Sequence, residues 1–233
     1  DPINAQDAAT KAYVDSLIVE LEIALVNKVQ DVEGNVYNVI KIGANVGGQV
    51  WMAENLRTTK YNDGTDIPLV TDETDWGNLT TPGYCYYNND PEEYSVPYGA
   101  LYNYYVVSDT SSLNVCPEGW HVPTDAEWTT LTTYLGGQSV AGGKMKEAGF
   151  AHWASPNTGA TNASGFTGLP GGERGNSGTW NGNEDGEFGF WWSSTDENGE
   201  SYAWSRDLHK ESESLNDETS NKRFGLSVRC LKD

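Results

Sequence analysis

The first thirty residues of this chain differ in character from everything that follows them. Residues 5–29 contain no Gly or Pro, and their apolar side chains recur at spacings of three and four, at Val14, Leu17, Ile18, Leu21, Ala24 and Leu25. Such spacing places one apolar stripe along a helix, and Asn4 or Asp7 is suited to cap its start. Because no helical partner follows, the stripe predicts a parallel coiled coil of identical chains over residues 1–30. A helix folded back on the rest of the chain is the alternative.

Residues 31–233 have the pattern of a globular α+β domain, in which Gly-rich turns separate short β-branched and aromatic runs. We expect strands at residues 36–42, 49–52, 99–107, 190–194, 202–206 and 225–230. Asp63-Gly64 is a turn signal, and residues 155–189 are long, polar and rich in Gly and Asn. The last three strands, separated by two polar connections, predict a small antiparallel sheet that presents loops.

Helical signals are scarce in this domain. Thr124 is a suitable N-cap, Glu127 three residues later completes a capping-box pattern, and Gly136-Gly137 ends the helix. A weaker pattern predicts a second short helix at residues 140–148. The expected domain therefore has short antiparallel sheets and one or two helices.

Composition excludes several classes of function. The chain is 37% hydrophobic and 12% aromatic, with nine Trp and 13 Tyr, which is far too apolar for a disordered chain. Its 34 Asp and Glu against 14 Lys and Arg give a formal charge of −20. Nucleic acid and anionic membrane surfaces are therefore unfavourable partners. No run of about 18 apolar residues is present to span a bilayer, so we expect no membrane insertion.

The three cysteines, Cys85, Cys116 and Cys230, lack the C-x-x-C spacing of a structural zinc site. A disulfide between Cys116 and Cys230 would tie the C-terminus to the middle of the domain, and a closure of that length is worth about 4–5 kcal/mol in the chain-entropy model. Three reduced, buried thiols are the rival interpretation.

Five ordered motifs resemble the Fibrobacter succinogenes major paralogous domain. They are Val50-Trp51-Met52-Ala53-Glu54-Asn55-Leu56, Cys116-Pro117-Glu118-Gly119-Trp120-His121-Val122-Pro123-Thr124, Leu169-Pro170-Gly171-Gly172, Trp191-Trp192-Ser193-Ser194-Thr195 and Ser227-Val228-Arg229-Cys230. The resemblance covers residues 31–233 and implies a C-type-lectin-like fold, related also to formylglycine-generating enzymes. An apparent insertion at residues 44–48 departs from the family pattern and suggests a longer turn between the first strands.

Two further resemblances bear on assembly and function. Residues 4–15 resemble the segment that precedes or builds trimeric stalks in tail-fibre-like proteins, which implies a homotrimer. Some domains of this family are variable proteins of diversity-generating retroelements, in which chosen positions near the C-terminus are randomised on a constant scaffold. By that resemblance residues 191–194 and 225–230 are scaffold, and the polar positions between them form a variable binding surface.

The polar stretch after residue 195 supplies the candidate binding residues. Ala203, Trp204 and Leu208 alternate as in a half-buried strand, which would leave Ser205, Asp207 and His209 on an open face. Short polar groups beside aromatics are typical of binding surfaces, although an ordinary solvated loop is the alternative. The candidate ligand-binding residues are Asp196, Glu197, Asn198, Glu200, Tyr202, Arg206, Asp207, His209, Lys210, Glu211, Ser212, Glu213 and Asn216.

Metal and catalytic signals are weak. Asn183-Glu184-Asp185 and Asn216-Asp217-Glu218 offer oxygen ligands that suit calcium, but the Glu-Pro-Asn and Trp-Asn-Asp tripeptides of sugar-binding C-type lectins are absent, so we expect no cofactor. No nucleophile-elbow motif accompanies the isolated His121, His152 and His209. The reactive cysteine pair of formylglycine-generating enzymes is also missing.

The sequence thus predicts a non-enzymatic display protein outside the cell, on a phage tail or a bacterial surface. Its expected partner is a host cell-surface protein or a glycan. A structural domain of a surface lipoprotein or fimbria-like assembly is the alternative function.

Overall fold

The computed structural model describes residue 10 and residues 27–43, 48–108, 113–182, 186–199 and 201–233. The described part is a mixed α/β structure with antiparallel strand pairs and few helices. The strands are β1 (Lys28–Gln30), β2 (Val36–Ile42), β3 (Gln49–Met52), β4 (Tyr84–Cys85), β5 (Leu101–Tyr102), β6 (Trp120–His121), β7 (Glu173–Arg174), β8 (Trp180–Asn181), β9 (Phe188–Asp196), β10 (Tyr202–His209), β11 (Leu215–Asn221) and β12 (Leu231–Lys232). The helices are α1 (Glu73–Gly77), α2 (Pro91–Tyr98), α3 (Tyr104–Val107), α4 (Asp125–Tyr134) and α5 (Gln138–Met145), with a 3-10 turn at Tyr87–Asn89.

The predicted coiled coil lies almost entirely outside the described residues, and so does most of the expected insertion at residues 44–48. Where the two overlap, the prediction needs a correction. Lys28–Gln30 is a strand rather than the end of a helix, and it pairs antiparallel with β2, with Val29 opposite Tyr37. The globular part therefore begins by residue 28, because Val29 packs against its core.

Two main sheets organise the domain. The first has the strand order β1-β2-β3-β12-β6, so the C-terminal strand lies between two strands from earlier in the chain. Leu231 stands opposite both Trp51 and His121. The second sheet has the order β11-β10-β9, and one buried cluster that includes Trp51, Trp191 and Leu208 packs between the two sheets.

The strongest helix signal in the sequence is confirmed. Thr124 caps α4, and the reciprocal capping box forms: the Thr124 hydroxyl accepts from the Glu127 backbone N–H, and the Glu127 carboxylate accepts from the Thr124 backbone N–H at 2.8 Å. The weaker second helix also exists as α5, two residues earlier than expected at its start. The strands expected at residues 36–42 and 49–52 are present as β2 and β3.

Two strand predictions are wrong. Residues 99–107 form only the two-residue strand β5, and the chain then turns into α3, whose Tyr104, Val106 and Val107 are buried. Residues 225–230 form no continuous strand; they make single bridges to Tyr102, Arg174 and Trp191. The third strand of the C-terminal sheet is instead β11, a polar segment with only its two end residues buried.

A buried polar centre joins the first sheet to the second. The Asn55 Oδ1 atom accepts hydrogen bonds from Trp191 Nε1 at 2.9 Å and from Arg229 Nε at 2.8 Å. Its Nδ2 donates to the Tyr98 carbonyl at 2.8 Å and to the Ser227 hydroxyl at 3.2 Å. Asn55, Trp191 and Arg229 are each at most 2% exposed, so water cannot replace these bonds.

Replacing Asn55 with Ala should destabilise the protein strongly. The change leaves the buried Trp191 and Arg229 donors without their shared acceptor, at a cost of about 3 kcal/mol or more. Urea unfolding followed by tryptophan fluorescence measures the loss. The matched change at exposed Asn62 should cost less than about 0.5 kcal/mol, and equal effects at the two positions would contradict this assignment.

The sequence left two arrangements of the cysteines open, and the structure has the disulfide. Cys116 and Cys230 are bonded across 114 positions of sequence, with Cα atoms 5.9 Å apart. Cys85 is a buried free thiol, and burial raises its pKa to about 12, which keeps it unreactive.

A reductant should lower the stability of the protein through this bond alone. Because the disulfide closes a long loop, its loss should cost about 2–5 kcal/mol, measured as a shift of the urea midpoint when dithiothreitol is added. The Cys116→Ala/Cys230→Ala variant should start at the lower midpoint and not respond to the reductant. A response of that variant would assign the effect to something other than this bond.

Candidate functional site

The two faces of the sheet β11-β10-β9 have different surroundings. Residues opposite one another in adjacent antiparallel strands project to the same side. On one side Leu208 stands opposite Gly189 and Leu215, and Leu208 and Leu215 are buried in the cluster that also contains residues of α4 and α5. On the other side the sheet carries a mixture of aromatic and polar groups that is only partly covered.

We call this second set of residues the polar-aromatic face. It consists of Phe188, Phe190, Asp207, His209, Asn216 and Glu218. The Phe188 ring stacks on the His209 ring with centroids 4.4 Å apart, and on the Phe190 ring at 5.7 Å, both at an interplanar angle of 19°. The Asn216 side-chain amide donates to Asp207 Oδ2 at 2.9 Å. Both phenylalanines, His209 and Asn216 are half-buried, and Glu218 is exposed.

The short hairpin β7-β8 supplies a second carboxylate beside this face. Glu173 is half-buried and stands opposite Asn181, whose amide donates to Glu173 Oε1 at 3.3 Å. Burial raises the pKa of Glu173 above its usual range; the bond from Asn181 offsets part of that rise, and the charge of Asp207 adds to it. Burial likewise raises the pKa of Asp207, with an addition from Glu218, and the bond from Asn216 and the charge of His209 offset part of that rise. The face therefore holds negative charge that is not fully compensated.

Within the described residues, no Lys or Arg side chain forms an ion pair with Asp207 or Glu173. Arg206, next to Asp207 in sequence, pairs with Asp125, and Lys210 pairs with Glu187. In the same part of the chain, the side-chain donors to these two carboxylates are the neutral amides of Asn216 and Asn181. The arrangement can accept a positively charged or hydrogen-bond-donating group from outside.

The predicted binding residues do not form one patch. Asp196, Glu197, Asn198 and Tyr202 surround the turn between β9 and β10, while His209, Lys210, Glu211, Ser212 and Glu213 surround the turn between β10 and β11. The eight residues of β10 separate these two ends by about 25 Å. Of the thirteen candidates only Asp207, His209 and Asn216 belong to the polar-aromatic face, and Glu200 lies outside the described residues.

The predicted open face of β10 needs correction. Ser205 and Asp207 are 1% and 9% exposed, because β10 is the central strand of its sheet. Asp207 therefore reaches solvent only through a small opening among the half-buried residues of the polar-aromatic face. Arg206, a candidate binding residue, is 2% exposed and pairs with Asp125 at 2.6 Å. It holds α4 against the sheet and is not available to a ligand. The alternation of Ala203, Trp204 and Leu208 does not predict that Ser205 and Asp207, on the other side of β10, are buried as well.

The turn between β10 and β11 is held by hydrogen bonds from the buried Lys146 side chain. Lys146 Nζ donates to the carbonyls of His209 at 3.0 Å, Ser212 at 2.7 Å and Thr158 at 2.9 Å. Gly142 and Ser214 are in direct backbone contact, with space for no Cβ. Glu211 and Glu213 are exposed on this anchored turn. The turn at the other end is held by Asp196, which accepts from the backbone of Asn198 and Gly199 and pairs with Lys222.

Sequence reasoning missed Phe188, Phe190, Glu173 and Asn181. The first two lie at or beyond the edge of the long polar segment, where the alternation of Phe188, Gly189 and Phe190 is a strand signal that could have revealed them. Glu173 and Asn181 carry no comparable signal, because each lies in a two-residue strand.

No group of three His, Cys, Asp or Glu side chains converges along the described chain in a way that would hold a metal ion. Asp217 and Glu218 are adjacent in β11 and project to opposite faces, while residues 183–185 are among those not described. None of the described helices is both long and apolar enough to cross a bilayer.

Comparison with known proteins gives one match. Residues 44–232 match the model of the family described as the Fibrobacter succinogenes major domain. No curated protein and no solved structure matches the chain.

Removing the charge of Asp207 should stabilise the fold near neutral pH. A carboxyl group with a raised pKa binds its proton more tightly in the folded state, so its ionisation does not destabilise the fold below the ordinary pKa. The destabilisation develops as pH rises from the ordinary pKa to the folded pKa and is complete above it. Asp207→Asn should raise Tm by about 1–3 °C at about pH 7, and the gain should vanish at about pH 3. Glu118→Gln, at an exposed position, should give no such gain. A pH-independent effect of Asp207→Asn would contradict the charge argument.

Proposed function

This chain belongs to the Fibrobacter succinogenes major domain family, and we propose that it is a non-enzymatic binding module displayed outside the cell. In this proposal the described domain is a C-type-lectin-like head, carried on a trimeric coiled coil formed by the N-terminal residues. The head binds a cell-surface protein or a glycan of a host. It uses no metal and no cofactor.

The polar-aromatic face is the observation that carries the proposal. Half-buried Phe188, Phe190 and His209 supply contact area with few rotatable bonds, and Asp207 and Asn216 supply hydrogen-bonding groups beside them. Such mixtures are typical of binding surfaces. β9, which presents both phenylalanines, is held by buried neighbours. Trp191 and Trp192, which continue the strand, and Ser227, which bridges to Trp191, are all 0% exposed.

The same contrast supports a variable surface on a constant scaffold. Buried Trp191, Trp192, Ser227 and Val228 tolerate little change, while Glu197, Glu211 and Glu218 are exposed, and substitutions at exposed positions usually change stability little. We propose that near-copies of this gene, produced by a diversity-generating retroelement, differ at exposed positions such as Glu197, Glu211 and Glu218 and keep the buried ones. Uniform variation along the chain would instead favour the structural role in a lipoprotein or fimbria-like assembly.

Substitutions in the apolar stripe of the intact chain test the trimer. Leu17→Glu/Leu21→Glu places charge in the predicted coiled-coil seam, so light scattering should show trimers for the parent and monomers for the variant. The control, Glu20→Lys/Glu22→Lys, changes charge outside the seam and should remain trimeric. A parent chain that is already monomeric would contradict the proposed stalk.

A screen of the intact chain against glycans and whole bacterial cells tests the binding function. The parent should bind at least one target, and Phe190→Ala should weaken that binding by about tenfold or more through lost contact area. Phe150→Ala, at an exposed position outside the strands of this sheet, is the matched control and should bind as the parent does. Binding that is insensitive to Phe190 would remove this face from the proposal.

A further inference from the structure

We propose that the polar-aromatic face binds the cationic side chain of an arginine or lysine presented by a protein partner. This inference rests on the proposed function, because it names the partner chemistry of the same face. It narrows the expected partners from proteins or glycans to proteins with an exposed basic residue.

Two carboxylates without a Lys or Arg partner in the described chain are the first part of the case. Asp207 is 9% exposed, and Glu173, whose charge interacts with that of Asp207, is half-buried. Desolvated charges of the same sign are costly unless a counter-charge is present. Neutral amides from Asn216 and Asn181 are the donors that reach them within the described chain. A guanidinium or ammonium group placed between them would offset both charges and replace the solvation that they lack.

The aromatic rings are the second and independent part. Phe190 stands directly opposite Asp207 in the sheet, and Phe188 stacks beside it. Both rings are half-buried, so part of each is open to solvent. A cation near a phenylalanine ring gains from the ring quadrupole, more so for a planar guanidinium. The aliphatic stem of Arg or Lys can pack on the same rings.

The charge of the whole chain supports a basic partner over a neutral one. The formal charge of −20 accelerates encounter with positively charged surfaces. The same domain already contains three cases of an arginine over aromatic rings, including Arg174 with its guanidinium carbon 4.6 Å from the centroids of both Trp76 and Trp180. A neutral glycan would leave the carboxylates of Asp207 and Glu173 uncompensated.

A pair of small probes tests the inference on the intact chain. N-acetyl-arginine amide carries the cation, and N-acetyl-citrulline amide is its neutral isostere. We expect the arginine probe to shift backbone amide signals of residues 188–190, 207–209 and 216 in NMR titrations, and to bind at least about tenfold more tightly than the citrulline probe. Equal binding of the two probes, or shifts confined to other parts of the chain, would overturn the inference.

Matched variants assign the effect to the face. Asp207→Asn should weaken the arginine probe by about tenfold. Asp217→Asn removes the same charge from the opposite face of β11 and should leave affinity unchanged. Equal losses in the two variants would indicate general electrostatic attraction and would also overturn the inference. If cell or glycan binding depends on Phe190 while the arginine probe does not bind, the proposed function stands and this inference alone fails.

Discussion

Three buried cations that donate to loop carbonyls hold this domain together. Much of the chain runs outside regular strands and helices, so many backbone carbonyls have no ladder partner and must be satisfied in other ways. Arg174 donates to the carbonyls of Val70, Thr71, Asp72 and Gly178. Arg229 donates to those of Phe166 and Thr167, and Lys146 to those of Thr158, His209 and Ser212. Burial lowers the pKa of Lys146 to about 8 and that of Arg229 to about 9, a measure of what this arrangement costs.

Each of these cations fixes one component of the polar-aromatic face. Lys146 anchors the end of β10 and the turn that follows it. Arg174, next to Glu173 in β7, lies between Trp76 of α1 and Trp180 of β8 and so holds the hairpin that presents Glu173 beside the face. Arg229 shares the acceptor of Asn55 with Trp191, the neighbour of Phe190 in β9. The backbone around this face is therefore fixed by buried contacts, and a backbone of that kind carries no ordering cost when a ligand binds.

Local signals in the sequence were reliable where the structure depends on local interactions. The capping box of α4 needs only Thr124 and Glu127, and β2 needs only its own alternation. Predictions failed where contacts between segments distant in sequence determine burial or strand pairing. Arg206 can be buried because its charge is paired with that of Asp125, which lies 81 positions away in sequence. β11 has the composition of a polar connection, because an edge strand can be largely polar. Its strand conformation depends on seven residue pairings with β10. The face itself combines residues from β9, β10 and β11, with Glu173 of β7 beside it, and no spacing rule predicts that these segments lie together.

The central claim, that buried cations fix the backbone around the polar-aromatic face, is tested most directly by amide hydrogen exchange in a Lys146→Met variant. Met fills the same space but cannot donate to the three carbonyls. The account predicts faster exchange at residues 209–214, including the Lys210 amide that is bonded to the Glu187 carbonyl, with unchanged protection at the opposite turn around Asp196. Unchanged exchange at residues 209–214, or a uniform increase at both ends of the sheet, would contradict it.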